Sequence, residues 1–119
     1  MVRAKDAVGA YGERVAVDYL VRHGMTLIER NWRCSSGEID AVLLDGETIV
    51  FTEVKTRRSG TFGTPAEAVG HAKQSRLRRL AAIWLAQSQR RTPEIRFDLV
   101  SVLPQPAGAA GIEHVRGAF

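Results

Sequence analysis

Asp45-Gly46, set between two alternating apolar runs, is the feature that most limits what this chain can fold into. Asp-Gly in that setting is among the strongest short signals for a β-hairpin, because the tight turn needs residues that tolerate positive φ. The runs are Glu38–Leu44 and Thr48–Thr56. With Asp45 and Gly46 as the turn, Leu44 faces Glu47, Val42 faces Ile49 and Asp40 faces Phe51. Strand side chains alternate, so Phe51 and Glu53 share a face. Asp40 and Glu53 are therefore expected on one side of the hairpin as diagonal neighbours, roughly 7–8 Å apart at the backbone. Lys55 lies two residues further along that face, and Glu38 falls on it as well, opposite Glu53.

Two carboxylates and an amine converging on one sheet surface have the outline of a hydrolytic metal site. Glu-x-Lys on a strand is by itself commonly a solvated face. The clustering argues otherwise: three acids beside one lysine repel each other, whereas a face selected for solubility would intersperse the signs.

At 119 residues the chain is long enough for one domain with its own core, and its 45% apolar content is ordinary for a globular protein. The lone Cys34 rules out an internal disulfide and fits a reducing compartment. His23, His71 and His114 are scattered and form no cysteine–histidine zinc pattern. The start, Met1-Val2-Arg3-Ala4-Lys5-Asp6, lacks a signal-peptide core, and the longest apolar run, Leu80–Ala86, is too short to span a membrane. A cytoplasmic protein without a membrane partner is expected.

The net charge of +4 hides an uneven distribution. Residues 54–91 carry nine Lys or Arg against Glu67, a net +8, and the remainder of the chain is −4. Such asymmetry suggests a polyanionic partner. A solvated basic helix is the plain alternative. Beside an acidic pocket, however, a basic surface is what a metal-dependent phosphodiesterase needs: the bases hold phosphates and the acids hold the metal.

The first helix is expected over Ala7–Arg22, ending at Gly24. Val8, Tyr11, Val15, Ala16, Tyr19 and Leu20 form its apolar stripe, with Glu13 at the border beside Leu20. Gly9 and Gly12 cost roughly 1 kcal/mol each inside a helix, which suggests close approach to another element or a ligand. A strand follows near Thr26–Arg33, then a loop through Ser35-Ser36-Gly37 and the hairpin. Arg57 to Gly63 reads as a flexible basic loop. Thr64-Pro65-Ala66-Glu67 carries the signature of a helix start, and Gly70 is expected to interrupt that helix. Its main segment, about Ala72–Gln89, places Leu77, Leu80, Ala81, Trp84 and Leu85 on one stripe. Lys73 falls on the same stripe, facing the sheet or snorkelling past it to water. With fourteen arginines and three lysines in the chain, the choice of lysine at 55 and 73 suggests a need for a compact amine. Ile95–Val102 reads as a strand carrying Asp98, a structural rather than catalytic acid, and Ile112–Arg116 as a short edge strand. The order predicts one α/β domain, a mixed sheet with helices packed on it. Residues 1–103 form its body and 104–119 a loop and edge segment.

This arrangement resembles the PD-(D/E)XK nuclease superfamily, and more narrowly the small bacterial YraN family, related in fold to archaeal Holliday junction resolvases. The matching residues are Gly9, Gly12-Glu13, Asn31-x-Arg33, Gly37-Glu38-Ile39-Asp40, Phe51-x-Glu53-Val54-Lys55-x-Arg57, Pro65-x-x-Ala68-Val69, Lys73, Arg96-Phe97-Asp98 and Ala118-Phe119. They span almost the whole chain, and their order and spacing are more specific than any one fragment. Ile39 stands where the superfamily name has proline, as is common in the resolvase-like branch.

The resemblance implies a restriction-endonuclease-like fold and a metal-dependent nuclease acting on nucleic acid, DNA before RNA. Glu13, Asp40 and Glu53 would be ligands to Mg²⁺ or Mn²⁺, assisted by the Val54 carbonyl. Lys55 would orient or deprotonate the attacking water. Lys73 would contact the scissile phosphate or the acids. Arg57, Arg58 and Arg76 would hold phosphates. A resolvase-like role favours a two-fold homodimer. The competing reading is a nucleic-acid-binding module or adaptor without turnover. The intact acid–acid–lysine set argues against it, since a pure binder would gain affinity by losing Asp40 or Glu53.

Overall fold

The apolar runs recognised in the sequence become two neighbouring inner strands of a five-stranded sheet. The computed structural model describes residues 4–57, 70–91, 94–105 and 107–119, with side chains from residue 7 onward. Its elements are α1 (Ala4–Arg22), β1 (Thr26–Cys34), β2 (Gly37–Asp45), β3 (Thr48–Thr56), α2 (His71–Ser88), β4 (Ile95–Leu103) and β5 (Gly111–Val115). The strands lie side by side in chain order. β1, β2 and β3 are antiparallel, β3 and β4 parallel, β4 and β5 antiparallel. A parallel step requires a crossover, and α2 lies in that connection.

One helix covers each face. Ala16, Val17 and Leu20 of α1 pack with Ala41, Leu43, Val50, Val100 and Val102. Leu77, Leu80, Ala81 and Trp84 of α2 pack with Val42, Ile49, Phe51 and Phe97. The intervening strands are apolar on both faces, as the sandwiched strands of an α/β fold should be. The result is a single α/β domain with a mixed sheet, consistent with a restriction-endonuclease-like fold. Among the described residues, no helix is long and apolar enough to cross a membrane.

An aromatic row locks the C-terminus to the α2 face. Phe51 lies edge-on to Trp84 at 5.6 Å, stacks on Phe97 at 5.7 Å, and Phe97 stacks on Phe119 at 5.2 Å. The Arg78 guanidinium lies over both Phe97 and Phe119, and the Ala118 amide donates to the Phe97 carbonyl.

The hairpin forms, but its register differs from the expected one. Asp45 pairs with Thr48, Leu44 with Ile49 and Val42 with Phe51. The two turn residues are Gly46 and Glu47, with Gly46 at φ 65° and Glu47 outside the positive-φ set. Glycine at the first central position is the type II′ arrangement. Asp45 stays in the strand because its carboxylate is held by Arg96 at 3.0 Å and Arg116 at 2.9 Å. These partners come from distant sequence and were not visible in the local pattern.

The α1 stripe is also rotated from expectation. Val17 is buried in place of Tyr11, which is exposed, and Val15 and Tyr19 are half-buried. Gly70 does not interrupt a described helix; it is the N-cap of α2. The helix start expected at residues 64–67 lies outside the described residues.

Gly12 sits where α1 crosses β3. A Cβ built there would fall 1.7 Å from Thr56 Oγ1 and 3.0 Å from Thr56 Cβ. Gly9 has no described atom within 4 Å of such a Cβ, and nothing in the structure explains it. The two glycines should therefore respond oppositely to alanine. Gly12→Ala should destabilise by about 1–3 kcal/mol through overpacking, despite its gain in helix propensity. Gly9→Ala should be neutral or stabilise by up to about 1 kcal/mol. Urea denaturation of the two variants checks the contrast, and similar shifts in both would refute the close contact.

Candidate functional site

The expected acids do gather, at the point where β2 and β3 separate. Their ladder runs from Asp45–Thr48 to Ala41–Thr52. Continued by one residue it places Asp40 directly opposite Glu53, not diagonal to it as expected. There the Val54 amide donates to Asp40 Oδ2 at 2.8 Å. A side-chain carboxylate thus takes a β3 amide just beyond the last ladder pair, and Asp40 is left only 8% exposed.

Asp40 also marks a break in side-chain alternation. Ile39 and Val42 both pack in the α2-side core, while Ala41 and Leu43 pack in the α1-side core. Strict alternation forbids that set, so the strand turns over between residues 39 and 41. The turnover brings Asp40 beside Glu13 of α1. On the other helix, Lys73 Nζ pairs with Glu53 Oε1 at 2.7 Å, with the lysine side chain 32% exposed and the glutamate 12%. Lys73 therefore faces the sheet.

Burial raises the Asp40 carboxyl to about 8, and repulsion from Glu53, Glu13 and Glu38 adds to it against the opposing Val54 hydrogen bond. Asp40 therefore keeps its proton to a higher pH than an ordinary aspartate, with the Glu13 side chain beside it. Glu13 is itself raised, first by burial and then by Glu38; its bonds to Asp40 and Asn31 and the nearby Arg30 act the other way.

The other expected residues are placed less centrally. Lys55 is exposed, two residues beyond Glu53, and pairs with Ser101 of β4 through the backbone. Glu38 pairs with Arg33 at 2.8 Å across the β1–β2 ladder rather than facing Glu53. Arg57 is half-buried immediately after β3, its amide donating to the Val102 carbonyl at 2.8 Å. It is thus anchored to the sheet, where a flexible loop was expected. Arg76 is exposed on α2, and Arg58 lies outside the described residues. Two neighbours of Glu13 went unassigned in the sequence reading. Arg30 gave no signal; Asn31 was legible only as part of the Asn31-x-Arg33 resemblance.

Oxygen donors suit a hard divalent cation. A buried carboxyl kept protonated by burial and neighbouring acids is a site short of positive charge, and a cation would relieve it. Among the described residues, no three acid, imidazole or thiol groups are drawn together as a finished cage. Glu53 is instead held by Lys73, whose ammonium supplies part of the missing charge.

Asp98 is the contrasting buried acid. Burial pushes it up, but hydrogen bonds from His114 at 2.7 Å, Arg96 at 2.8 and 3.0 Å, and the Gly117 amide at 3.0 Å outweigh burial and bring it down to about 2. It ties β4 to β5 and the C-terminal turn, in keeping with the structural role expected of it.

The fold and this cluster define a small α/β protein with a buried carboxylate group where the two central strands part. The chain belongs to the UPF0102 family: residues 12–102 match the family described as "Uncharacterised protein family UPF0102". It is 59% identical to a UPF0102 protein of Beutenbergia cavernae over 116 residues, covering 98% of each chain. It is 51% identical to UPF0102 protein FRAAL5785 of Frankia alni over 118 residues, covering 99% of this chain and 98% of the relative. It is 52% identical to a UPF0102 protein of an Arthrobacter species over 116 residues, again covering 98% of each. This is the family of the YraN resemblance.

Raising a carboxyl pKa on folding means that the folded state holds the proton more tightly. The associated stability is complete below pH 3.8 and is lost as pH rises toward about 8. Asn at position 40 keeps an oxygen acceptor for the Val54 amide and cannot ionise. In chelator, Asp40→Asn should match the parent near pH 4 and exceed it increasingly up to pH 8, on the order of a few kcal/mol. Melting curves across that range test this; a difference independent of pH would contradict the raised carboxyl.

Proposed function

We propose that this protein is a metal-dependent nuclease of the PD-(D/E)XK superfamily, hydrolysing phosphodiester bonds in nucleic acid, with branched or structured DNA as the favoured substrate. The observation that carries the reading is the buried Asp40 carboxyl, bounded by Glu13 and Glu53 and taking the Val54 amide at 2.8 Å. A strongly perturbed acid among other acids, next to a lysine, is what hydrolytic sites contain and what ordinary sheet surfaces avoid.

In this reading Glu13, Asp40, Glu53 and the Val54 carbonyl hold Mg²⁺ or Mn²⁺. The cation supplies charge stabilisation at the phosphate, activation of water and help to the leaving oxygen. Asp40 would have to be ionised to hold it, and Glu53 would serve as a ligand beside Lys73. Lys73, already 2.7 Å from Glu53, is placed to exchange that contact for a phosphate oxygen. Lys55 orients or deprotonates the nucleophilic water from the same strand. Arg58 and Arg76 bind backbone phosphates, and Arg57 stiffens the end of β3. Two copies related by a two-fold axis would cut paired strands symmetrically.

A panel of branched, duplex and single-stranded substrates with Mg²⁺ or Mn²⁺ tests the activity. On whichever substrate the parent cleaves, Asp40→Asn, Glu53→Gln and Lys55→Ala should each remove cleavage while the circular dichroism spectrum stays native. Combined variants should lose no more than the singles, because the residues act as a unit. Parental rates in Asp40→Asn would sink the assignment. A parent that binds nucleic acid but cuts nothing on the panel would favour the binding module instead.

Binding should weaken with salt, log K falling by about 0.9 per log unit for each duplex phosphate neutralised. Reversing Arg58 and Arg76 together should flatten that dependence. An unchanged slope and affinity would move the binding surface away from residues 54–91.

A further inference from the structure

Asn31 adopts a backbone conformation that folding alone does not explain. It has φ 52° in the middle of β1. The left-handed region is disfavoured for any residue with a Cβ; asparagine tolerates it better than most, and glycine takes it freely. The other non-glycine with positive φ among the described residues is Gln89, at the C-cap of α2, where a left-handed residue commonly ends a helix. Asn31 ends nothing.

Its position is informative. Arg30 pairs with Ala41 and Trp32 with Ile39, so Asn31 stands directly opposite Asp40. The break in alternation at Asp40 is thus matched by a left-handed residue at the facing position of the neighbouring strand. The Asn31 side chain lies near enough to Glu13 to lower its carboxyl against burial. A carboxylate can only accept, so the amide nitrogen donates.

We propose that Asn31 is a positioning residue for the candidate metal site, its left-handed backbone turning Asp40 toward α1 and its side-chain amide holding the Glu13 carboxylate beside it. This rests on the metal-dependent reading given above. If only the backbone conformation mattered, glycine would serve at least as well. The amide has a separate task, which is to orient an acid that burial and Glu38 would otherwise leave poorly held. Hydrogen-bonded partners of metal-binding carboxylates commonly influence affinity by about 10–100-fold.

Asn31→Gly separates the two roles, since it keeps the backbone conformation and removes the amide. The variant, Glu13→Gln, the double variant and Asp40→Asn are titrated with Mn²⁺, following the melting temperature and the heat of binding in the full-length chain. Asn31→Gly should melt no lower than the parent in chelator, yet bind Mn²⁺ at least about tenfold more weakly. In the Glu13→Gln background it should add little, because the amide acts through Glu13. Parental Mn²⁺ affinity in Asn31→Gly, additive losses in the double variant, or a metal-free melting temperature well below the parent would each overturn the proposal. If the parent shows no saturable Mn²⁺ response, or Asp40→Asn retains it, the metal reading itself fails and this inference with it. If the parent responds, Asp40→Asn does not, and Asn31→Gly matches the parent, the role of Asn31 alone is wrong.

Discussion

The hydrogen bond from the Val54 amide to the Asp40 carboxyl is the contact on which the site's geometry depends. It occupies the place where the β2–β3 ladder stops and gives a β3 amide a partner it would otherwise lack. It also draws a carboxyl into the protein, where ionisation is unfavourable. The rest of the neighbourhood accommodates that acid. Glu13 comes beside it from α1, and α1 can lie that close because Gly12 presents no Cβ to Thr56. Lys73 of α2 answers the neighbouring charge on Glu53. Both helices are thus tied to one position in the sheet, by polar contacts at its open end and by apolar packing elsewhere.

Two buried aspartates on adjoining parts of the sheet show how environment divides labour. Asp98 is wholly buried and receives donors from Arg96, His114 and the Gly117 amide. Its charge is matched, and its carboxyl falls to about 2. Asp40 has one backbone donor and three acidic neighbours, and rises to about 8. Burial acts the same way on both; the difference is the sign of the company. A saturated acid fastens strands together. An acid left short of positive charge is poised to take a proton or a cation, which is the behaviour expected of a working group.

Much of this was readable in the sequence, where the signal was local. The hairpin, the two helices, the gathering of Asp40 and Glu53 at one end of it, and the place of Lys73 on the apolar stripe of α2 all follow from periodicity and turn chemistry. What escaped was set by distant partners. The hairpin register depends on Arg96 and Arg116 holding Asp45 in the strand, and those residues lie more than fifty positions away. Because the pairing shifted by two residues, Asp40 and Glu53 still came to facing positions at the end of the ladder. The break at Asp40 was hidden because the irregularity that faces it, the left-handed Asn31, lies on another strand. Glu13 could be placed only at the border of a stripe, since a helical wheel does not show which strand end that border meets. Arg57 was misplaced in a flexible loop because its composition is that of one, while its amide belongs to the sheet.

The pairing of Glu53 with Lys73 bears on how a binder and an enzyme would differ here. A surface that only attracted polyanions would gain from a Lys73 directed at solvent, where its charge would count in full. Instead Lys73 is turned inward and spends its charge on a carboxylate. In the same region, acidic side chains crowd around Asp40, with Glu13, Glu38 and Glu53 all close enough to raise its carboxyl. Both features weaken simple electrostatic capture. On the proposed reading, a cation held by the acids would reverse the local sign, and Lys73 would be free to meet the substrate. The arrangement is thus self-consistent as a site completed by metal, and costly as a binding surface without one.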